Sequence, residues 1–335
     1  MAEWAIKVQD LRKRYDGRDG PVDAVAGLDL EVPAGLCFGL IGPNGAGKTT
    51  TVEILEGITP PTSGEVEVLG MRWHTHEAEI RQRIGVTLQE TRFPDKATVR
   101  ELVTMFRSFY KHGIEPDEAI RAVQLESKAN SYNETLSGGQ QRRLAVALAL
   151  VGDPELIFFD EPTTGLDPQS RRQLWDVIHT LRERGKTIVL TTHYMDEAEK
   201  LCQKIAIVDH GKIIALGSPP DLIARLGGEH IIEFALMENG AEAPAATVFS
   251  DLPTVLSSRA EADGYTLTVG EPHKAIPALL DRVDEIGRAL ARLTTRHVSL
   301  EDVFVALTGR HIRDGDETPA NGPQSKSRRW GRRPS

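Results

Sequence analysis

Residues 40–50 of this chain, LIGPNGAGKTT, combine residue types that suit the binding of phosphates, and they follow the apolar run at 36–41. Glycines let the backbone curl closely round a phosphate, so that backbone N–H groups and the start of the next helix point at the anion. Lys48 would add a positive charge near the β and γ phosphates, and the hydroxyl of Thr49 would bind Mg²⁺. The pattern predicts a nucleoside triphosphate site.

A second motif, LIFFDEP, places two acidic residues directly after an apolar run. Asp160 and Glu161 would then lie at the exit of a buried strand, which is where α/β sheets bind ligands. Asp160 is suited to hold Mg²⁺ through its water shell, and Glu161 could orient or deprotonate an attacking water. With the loop at Gly42, this pair indicates nucleotide hydrolysis.

A third motif, LSGGQ at residues 136–140, opens a stretch with helical apolar spacing. Ser137 is a good N-cap, and Gly138 and Gly139 leave backbone N–H groups open. The motif is either a capped helix or a second anion site. In the second case the chain holds two nucleotides, or one nucleotide is clamped between the loop of one chain and the Ser-Gly-Gly of another.

The elements that must position these motifs alternate between short β-branched runs and helical stretches from Ala5 to about Ala224. Such alternation predicts an α/β fold with a mainly parallel sheet. Two amphipathic helices without a strand between them indicate a helical insertion at about 93–150. We expect a nucleotide-binding domain at 1–228, a small α+β domain at 229–309 and a disordered basic tail at 310–335.

The composition limits the functional classes. The 335 residues carry a net charge of −9, which argues against a general nucleic-acid binder, and no apolar run approaches the length of a membrane span. Cys37 and Cys202 are expected in the core of a protein in a reducing compartment. The basic tail could alternatively be a weak anchor for anionic phospholipids. His74 and His76 resemble half of a metal site, but we expect a solvated loop there.

The three motifs together, in this order, resemble the Walker A, signature and Walker B motifs of ABC ATPases over residues 5 to about 226. The resemblance implies that ATP and Mg²⁺ are bound, that Tyr15 stacks on adenine and that His193 contacts the γ-phosphate. It also implies that Gln89 senses Mg²⁺ and that Asp167 lies in a loop crossing a dimer. The residues expected to contact nucleotide in the first and third motifs are Gly42, Pro43, Asn44, Gly45, Ala46, Gly47, Lys48, Thr49, Thr50, Ser137, Gly138, Gly139 and Gln140.

The resemblance resolves the choice left open above in favour of a head-to-tail pair of cassettes, whose motion on hydrolysis is transmitted to an integral membrane permease. The chain is accordingly expected in the cytoplasm, peripheral on the inner face of the cell membrane. Within the family, TGLDPQSRRQLWDVI and SLEDVFVALTGR look most like bacterial exporters of the daunorubicin-resistance type, for drugs, antibiotics or lipids. Two alternatives are an importer ATPase and a cytosolic ABC ATPase acting on ribosomes or nucleic acid.

Overall fold

The computed structural model describes residues 3–17, 20–87, 93–237, 243–261 and 263–309. The strands of these segments are, in chain order, β1 (Trp4–Gly17), β2 (Gly20–Pro33), β3 (Cys37–Ile41), β4 (Ser63–Val68), β5 (Ile84–Thr87), β6 (Leu156–Asp160), β7 (Thr187–Thr192), β8 (Lys204–Asp209), β9 (Lys212–Gly217), β10 (His230–Leu236), β11 (Val255–Glu261), β12 (Gly264–Val269) and β13 (Leu290–His297). The helices are α1 (Lys48–Leu55), α2 (Trp73–Arg83), α3 (Val99–Arg107), α4 (Pro116–Ala122), α5 (Gly138–Leu150), α6 (Pro168–Glu183), α7 (Met195–Leu201), α8 (Pro219–Ala224), α9 (Pro272–Glu285) and α10 (Leu300–Thr308).

The central sheet has six strands in the order β5-β6-β7-β3-β8-β9, and all neighbouring pairs are parallel except β8 with β9. Strands β3, β6 and β7 are buried along their whole length, as expected for a parallel sheet covered on both faces. Because β6, β7 and β3 are neighbours, their carboxyl ends meet at one edge. Ile41 lies opposite Thr192 there, and Asp160 opposite Thr191. The predicted parallel core is confirmed.

A second sheet, in the order β2-β1-β4, is antiparallel throughout. The sequence pattern had placed all strands of this region in one mainly parallel sheet. Apolar periodicity identifies a strand but does not identify its hydrogen-bonded neighbour, and therefore the separate sheet was missed.

The described residues between β5 and β6, 93–155, consist of helices and the loops that join them. Helices α3, α4 and α5 pack on one another, and α3 begins with a capping box formed by Thr98 and Glu101. The expectation of a loop at His74 and His76 was wrong, because both residues lie in the first turns of α2. That helix starts at Trp73, whose indole Nε1 donates to the carbonyl oxygen of Leu55 at 3.1 Å and so fixes the start of the helix against α1.

The C-terminal strands form an antiparallel sheet in the order β11-β12-β10-β13. One cluster of apolar side chains, which includes Phe234, Leu267 and Leu279, joins this sheet to α9. Helix α10 packs elsewhere: Phe304 and two neighbouring apolar residues belong to the core of the central sheet, together with Leu201 of α7. The final helix therefore attaches the C-terminal sheet to the core of the central sheet.

Candidate functional site

The loop between β3 and α1 is folded around the side chain of Lys48. The Lys48 Nζ donates to the carbonyl oxygens of Gly42 and Pro43 at 2.9 and 3.0 Å, and the residue is only 4% exposed. Gly47 caps α1 with a φ of 100°, and a Cβ there would lie 2.2 Å from the carbonyl oxygen of Ala24. Only glycine fits this backbone position. The ammonium group is therefore held inside the curve of the loop.

The outer side of this loop is open to solvent. Asn44, Gly45 and Thr49 are exposed, Thr50 is half-buried, and Ala46 and Pro43 are buried beneath them. The first backbone N–H groups of a helix have no partner within the helix, so the amino end of α1 presents donors at this surface. The exposed hydroxyl of Thr49 is at the same end.

Asp160 and Glu161 leave β6 side by side, and Thr191 of the neighbouring strand joins them. The Thr191 hydroxyl donates to Asp160 Oδ1 and accepts the backbone N–H of Glu161 at 2.9 Å. Glu161 has a φ of 42°, in the left-handed region that non-glycine residues seldom adopt. Strained backbone of this kind clusters at functional sites.

The Glu161 carboxylate is the meeting point of the predicted catalytic residues. Its Oε1 lies 3.2 Å from His193 Nδ1 and 3.9 Å from Lys48 Nζ, and its Oε2 accepts the Thr164 hydroxyl at 3.1 Å. The hydrogen bond from His193 is the main cause that holds the pKa of Glu161 below its usual value. The group is therefore a carboxylate at neutral pH, which can accept a hydrogen bond from water.

Asp160 is a buried carboxylate whose pKa is raised mainly by desolvation, and the neighbouring Glu161 adds to that rise. A divalent cation would offset both effects, because it supplies positive charge next to oxygen ligands. Asp160 and the hydroxyl of Thr49 fit the donor set that Mg²⁺ prefers. Gln89, the third predicted ligand, lies outside the described residues.

The signature motif forms the start of α5. Ser137 is the N-cap, its hydroxyl accepts the Gln140 N–H at 3.3 Å, and the Gln140 side chain accepts the Ser137 N–H at 2.9 Å. Gly138 has open space where a side chain would be, whereas a Cβ on Gly139 would lie 2.3 Å from the hydroxyl oxygen of Ser170. Gly138 is thus available to a ligand, and Gly139 also permits close packing against α6.

Asp167, predicted to lie in a dimer-crossing loop, is the exposed N-cap of α6. Its Oδ1 accepts the N–H groups of Gln169 and Ser170 at 3.0 Å each, and its Oδ2 accepts the Ser170 hydroxyl at 2.6 Å. Ser170 therefore contacts both Asp167 and the signature glycine. The predicted interface loop and the signature helix are joined within one chain.

The predicted site residues form two groups. Lys48, Asp160, Glu161 and His193 meet at the carboxyl edge of the central sheet. Within the described part of the chain, no hydrogen bond or ion pair joins residues 137–140 or Tyr15 to Glu161 or His193. Tyr15 lies on β1, is 40% exposed, and has Lys13 Nζ 4.9 Å from its ring centroid. The exposed ring can stack on a base.

Sequence reasoning missed two residues that hold the Glu161 backbone, Thr191 and Arg142. Arg142 donates to three successive carbonyl oxygens, those of Asp160, Glu161 and Pro162, at 2.7 to 2.9 Å. The available signal was the pair of arginines one residue after LSGGQ, directly before the apolar second half of the helix. Long cationic side chains are rarely placed in such a helix without a specific acceptor.

A third missed residue is Glu56, at the end of α1. It is 3% exposed, and its Oε1 has no hydrogen-bond partner among the described residues. Burial, with smaller contributions from the charges of Asp160 and Glu53, raises its pKa to about 8. Glu56 is therefore neutral at pH 7 in the folded chain, whereas it would be ionised in the unfolded chain.

We expect Glu56→Gln to stabilise the protein in a pH-dependent manner. Below the unfolded pKa of about 4.5 both states are protonated, and the wild type loses stability as the pH rises from there to about 8. Glutamine does not titrate, so its advantage should reach on the order of 3 kcal/mol near pH 7 and vanish at pH 4. Urea unfolding of both chains from pH 4 to 8 measures this difference. A constant difference across that range would contradict the assignment.

Comparison with known proteins adds to this geometry. Residues 25–164 match the family model described as ABC transporter. The Nod factor export ATP-binding protein I of Ralstonia nicotianae is 39% identical over 319 residues, which cover 92% of this chain and 95% of the relative. The protein of the same name from Burkholderia pseudomallei is 40% identical over 321 residues, covering 94% of this chain and 100% of the relative.

Among solved structures, the ATP-binding cassette MJ0796, described as dimeric in a post-hydrolysis state bound to ADP and Pi, superposes with a TM-score of 0.58 at 26% identity. The match covers 64% of this chain and 98% of that one. A structure described as the ATP-binding subunit of an ABC transporter gives a TM-score of 0.59 at 25% identity, over 67% and 93% of the two chains. The central sheet with its phosphate loop, acidic pair and signature helix is thus an ABC cassette, and the chain belongs to the ABC transporter family as an ATP-binding, ATP-hydrolysing subunit.

Proposed function

We propose that the chain energises a bacterial exporter by binding ATP between two cassettes arranged head to tail. The observation that carries this proposal is the extent of the similarity to relatives named for export, which includes the C-terminal strands as well as the cassette. Relatives that shared only ATP hydrolysis with this chain would be expected to match it over the nucleotide-binding core alone. The transported class is a drug, antibiotic or lipid-like molecule, and the daunorubicin-resistance type stays a prediction.

The division of the site into two groups supports the head-to-tail dimer. The loop at Gly42 and the residues at the sheet edge would hold the phosphates of one ATP, and Ser137, Gly138 and Gly139 of a second copy would complete the site. Both groups present helix amino ends, which attract phosphate. Because ATP is then part of the interface, its binding energy can drive closure of the dimer.

Within this site we assign a role to each described residue. Lys48 neutralises the β and γ phosphates, Glu161 orients the attacking water and accepts its proton, and His193 holds the Glu161 carboxylate. Thr49 and Asp160 would hold Mg²⁺, which neutralises charge on the phosphate oxygens during transfer. Tyr15 stacks on the adenine, and Asp167 reaches the second copy.

The membrane partner in this proposal is an integral permease, and the chain itself lies in the cytoplasm as a peripheral subunit on the inner face of the cell membrane. No helix in the described segments is long and apolar enough to cross a bilayer. The permease supplies the path for the solute, and the cassettes supply the motion that opens and closes it. The insertion helices α3 and α4 are the proposed contact between the two.

The test is reconstitution of the full chain with its permease in vesicles. If the cassettes face outward, ATP added outside should drive drug- or lipid-like solutes into the vesicle lumen, and those solutes should stimulate ATP hydrolysis. Transport in the opposite direction, or a requirement for a separate solute-binding protein, would favour an importer. Salt-sensitive binding of the chain to RNA or DNA would instead favour a cytosolic role.

A further inference from the structure

Arg142 connects the signature helix to the backbone of the catalytic carboxylate within one chain. Its Nη2 donates to the carbonyl oxygens of Asp160 and Glu161 at 2.7 and 2.9 Å, and its Nε donates to that of Pro162 at 2.8 Å. The planar guanidinium group offers several donors in a fixed geometry. Three consecutive carbonyl groups are thereby held in one orientation.

This contact acts on the strained part of the site. Glu161 has a positive φ, a conformation that non-glycine residues seldom adopt and that persists only when its surroundings impose it. Thr191 holds the N–H of Glu161 from β7, and Arg142 holds its carbonyl group from α5. A shift of α5 relative to β7 would therefore rotate the backbone that carries the carboxylate.

The amino end of the same helix presents the signature motif. Arg142 follows Ser137 by five residues, which is about 7.5 Å along a helix. Ser137 is fixed to the helix by its capping box with Gln140, so the motif and Arg142 move together. Any displacement of residues 137–140 would therefore also displace the Glu161 backbone, because the Arg142 side chain is hydrogen-bonded to its carbonyl oxygen.

We propose that Arg142 is a positioning residue that couples the two ATP sites of the dimer. ATP bound to the loop of one copy contacts Ser137 and Gly138 of the other copy and fixes its α5. Through Arg142, that helix then sets the position of Glu161 at the second copy's own site. This inference rests on the proposed head-to-tail dimer, and it predicts that hydrolysis at each site depends on occupation of the other.

Arg143, the next residue of the same helix, provides a matched control. Its Nη1 donates to the carbonyl oxygens of Val123 and Gln124 at 3.2 and 3.1 Å, at the end of α4. Replacing it removes the same charge and a similar set of hydrogen bonds from α5 without touching residues 160–162. A general loosening of α5 would affect ATP hydrolysis in the variants of both arginines. Loss of the coupling between the two ATP sites should appear only when Arg142 is replaced.

The experiment compares the full wild-type chain with Arg142→Gln, Arg142→Lys and Arg143→Gln. We expect wild-type hydrolysis to depend on ATP concentration with a Hill coefficient between 1 and 2, the limit for two sites. Arg142→Gln should bring this coefficient to about 1 and lower kcat by about tenfold, since small misplacements at a site are costly. Arg142→Lys should lie between the two, and Arg143→Gln should keep the wild-type coefficient.

Nucleotide affinity, measured with a fluorescent ATP analogue, should stay within about twofold of wild type in Arg142→Gln, because the loop at Gly42 is unchanged. A wild-type Hill coefficient in Arg142→Gln, or a coefficient of 1 in the wild type, would overturn the coupling. If thermal melting shows that Arg142→Gln does not fold, the Hill coefficient of Arg142→Lys is compared with that of the wild type instead. ATP-dependent dimerisation of Glu161→Gln, measured separately, distinguishes failure of the coupling from failure of the dimer itself.

Discussion

Replacement of Glu161 by glutamine is expected to lower ATP turnover by about 10²- to 10³-fold while nucleotide binding is retained. Glutamine has the same shape and keeps an oxygen that can accept the Thr164 hydroxyl, which donates to Glu161 at 3.1 Å. It has no negative charge to orient water or take its proton. The loss should therefore appear in kcat and not in the affinity for ATP.

The same variant should accumulate as an ATP-bound dimer, because in the proposed head-to-tail arrangement hydrolysis is the step that opens the interface. Size-exclusion chromatography with ATP should show a species of twice the mass, and with ADP a monomer. Glu183→Gln, at the exposed end of α6, is the matched control and should behave as wild type. Turnover close to that of the wild type would remove Glu161 from its assigned role.

Replacement of Lys48 by alanine is expected to weaken ATP binding by about 10²-fold or more, because hydrogen bonds from a charged donor to phosphate contribute several kcal/mol when desolvated. The structure adds a second cause. Lys48 Nζ also donates to Gly42 and Pro43 at 2.9 and 3.0 Å, so that alanine leaves two carbonyl groups of the loop without their donor. Loss of the cation and loss of loop order both lower the affinity for ATP.

Titration with a fluorescent ATP analogue measures this loss, and thermal melting without nucleotide reports on loop order and folding. Lys186→Ala is a suitable control, since Lys186 binds Asp153 Oδ1 at 2.6 Å on the side of the sheet where β7 begins. That variant removes one positive charge and should leave affinity unchanged. Affinity equal to wild type in Lys48→Ala would refute the assignment of Lys48 to the phosphates.

The C-terminal region shows where sequence reading was incomplete. Three strands, at IIEFAL, GYTLTV and RALARLTT, and two helices are predicted from the sequence, but β11 is not, because Ser257, Ser258 and Arg259 interrupt the alternating apolar pattern. The docking of α10 was also not predictable. Its apolar face is visible in SLEDVFVAL, yet a face does not reveal which surface it will cover. The structure places Phe304 against the central core.

The two cysteines illustrate the same limit. Both were expected in the core, and Cys37 and Cys202 are indeed buried. They are 165 residues apart in the chain, yet the Sγ atom of Cys37 lies 3.8 Å from that of Cys202. The neighbouring residue Gln203 donates its backbone N–H to the carbonyl oxygen of Cys37, which holds the two segments together. Burial follows from residue type and local pattern, but proximity follows from the pairing of β3 with β8.

The sequence by itself determined the ATP-binding chemistry of this protein. The motifs that indicate this chemistry are the glycine spacing with its lysine and the acidic pair after an apolar run. They depend on the local backbone conformation and solvation of consecutive residues, so the sequence shows them directly. Tertiary structure decided which strand ends became neighbours, and hence that His193, Lys48 and Glu161 meet. It also decided that Arg142 holds the Glu161 backbone. Contacts between residues distant in the chain depend on the packing of whole elements, and no local pattern records them.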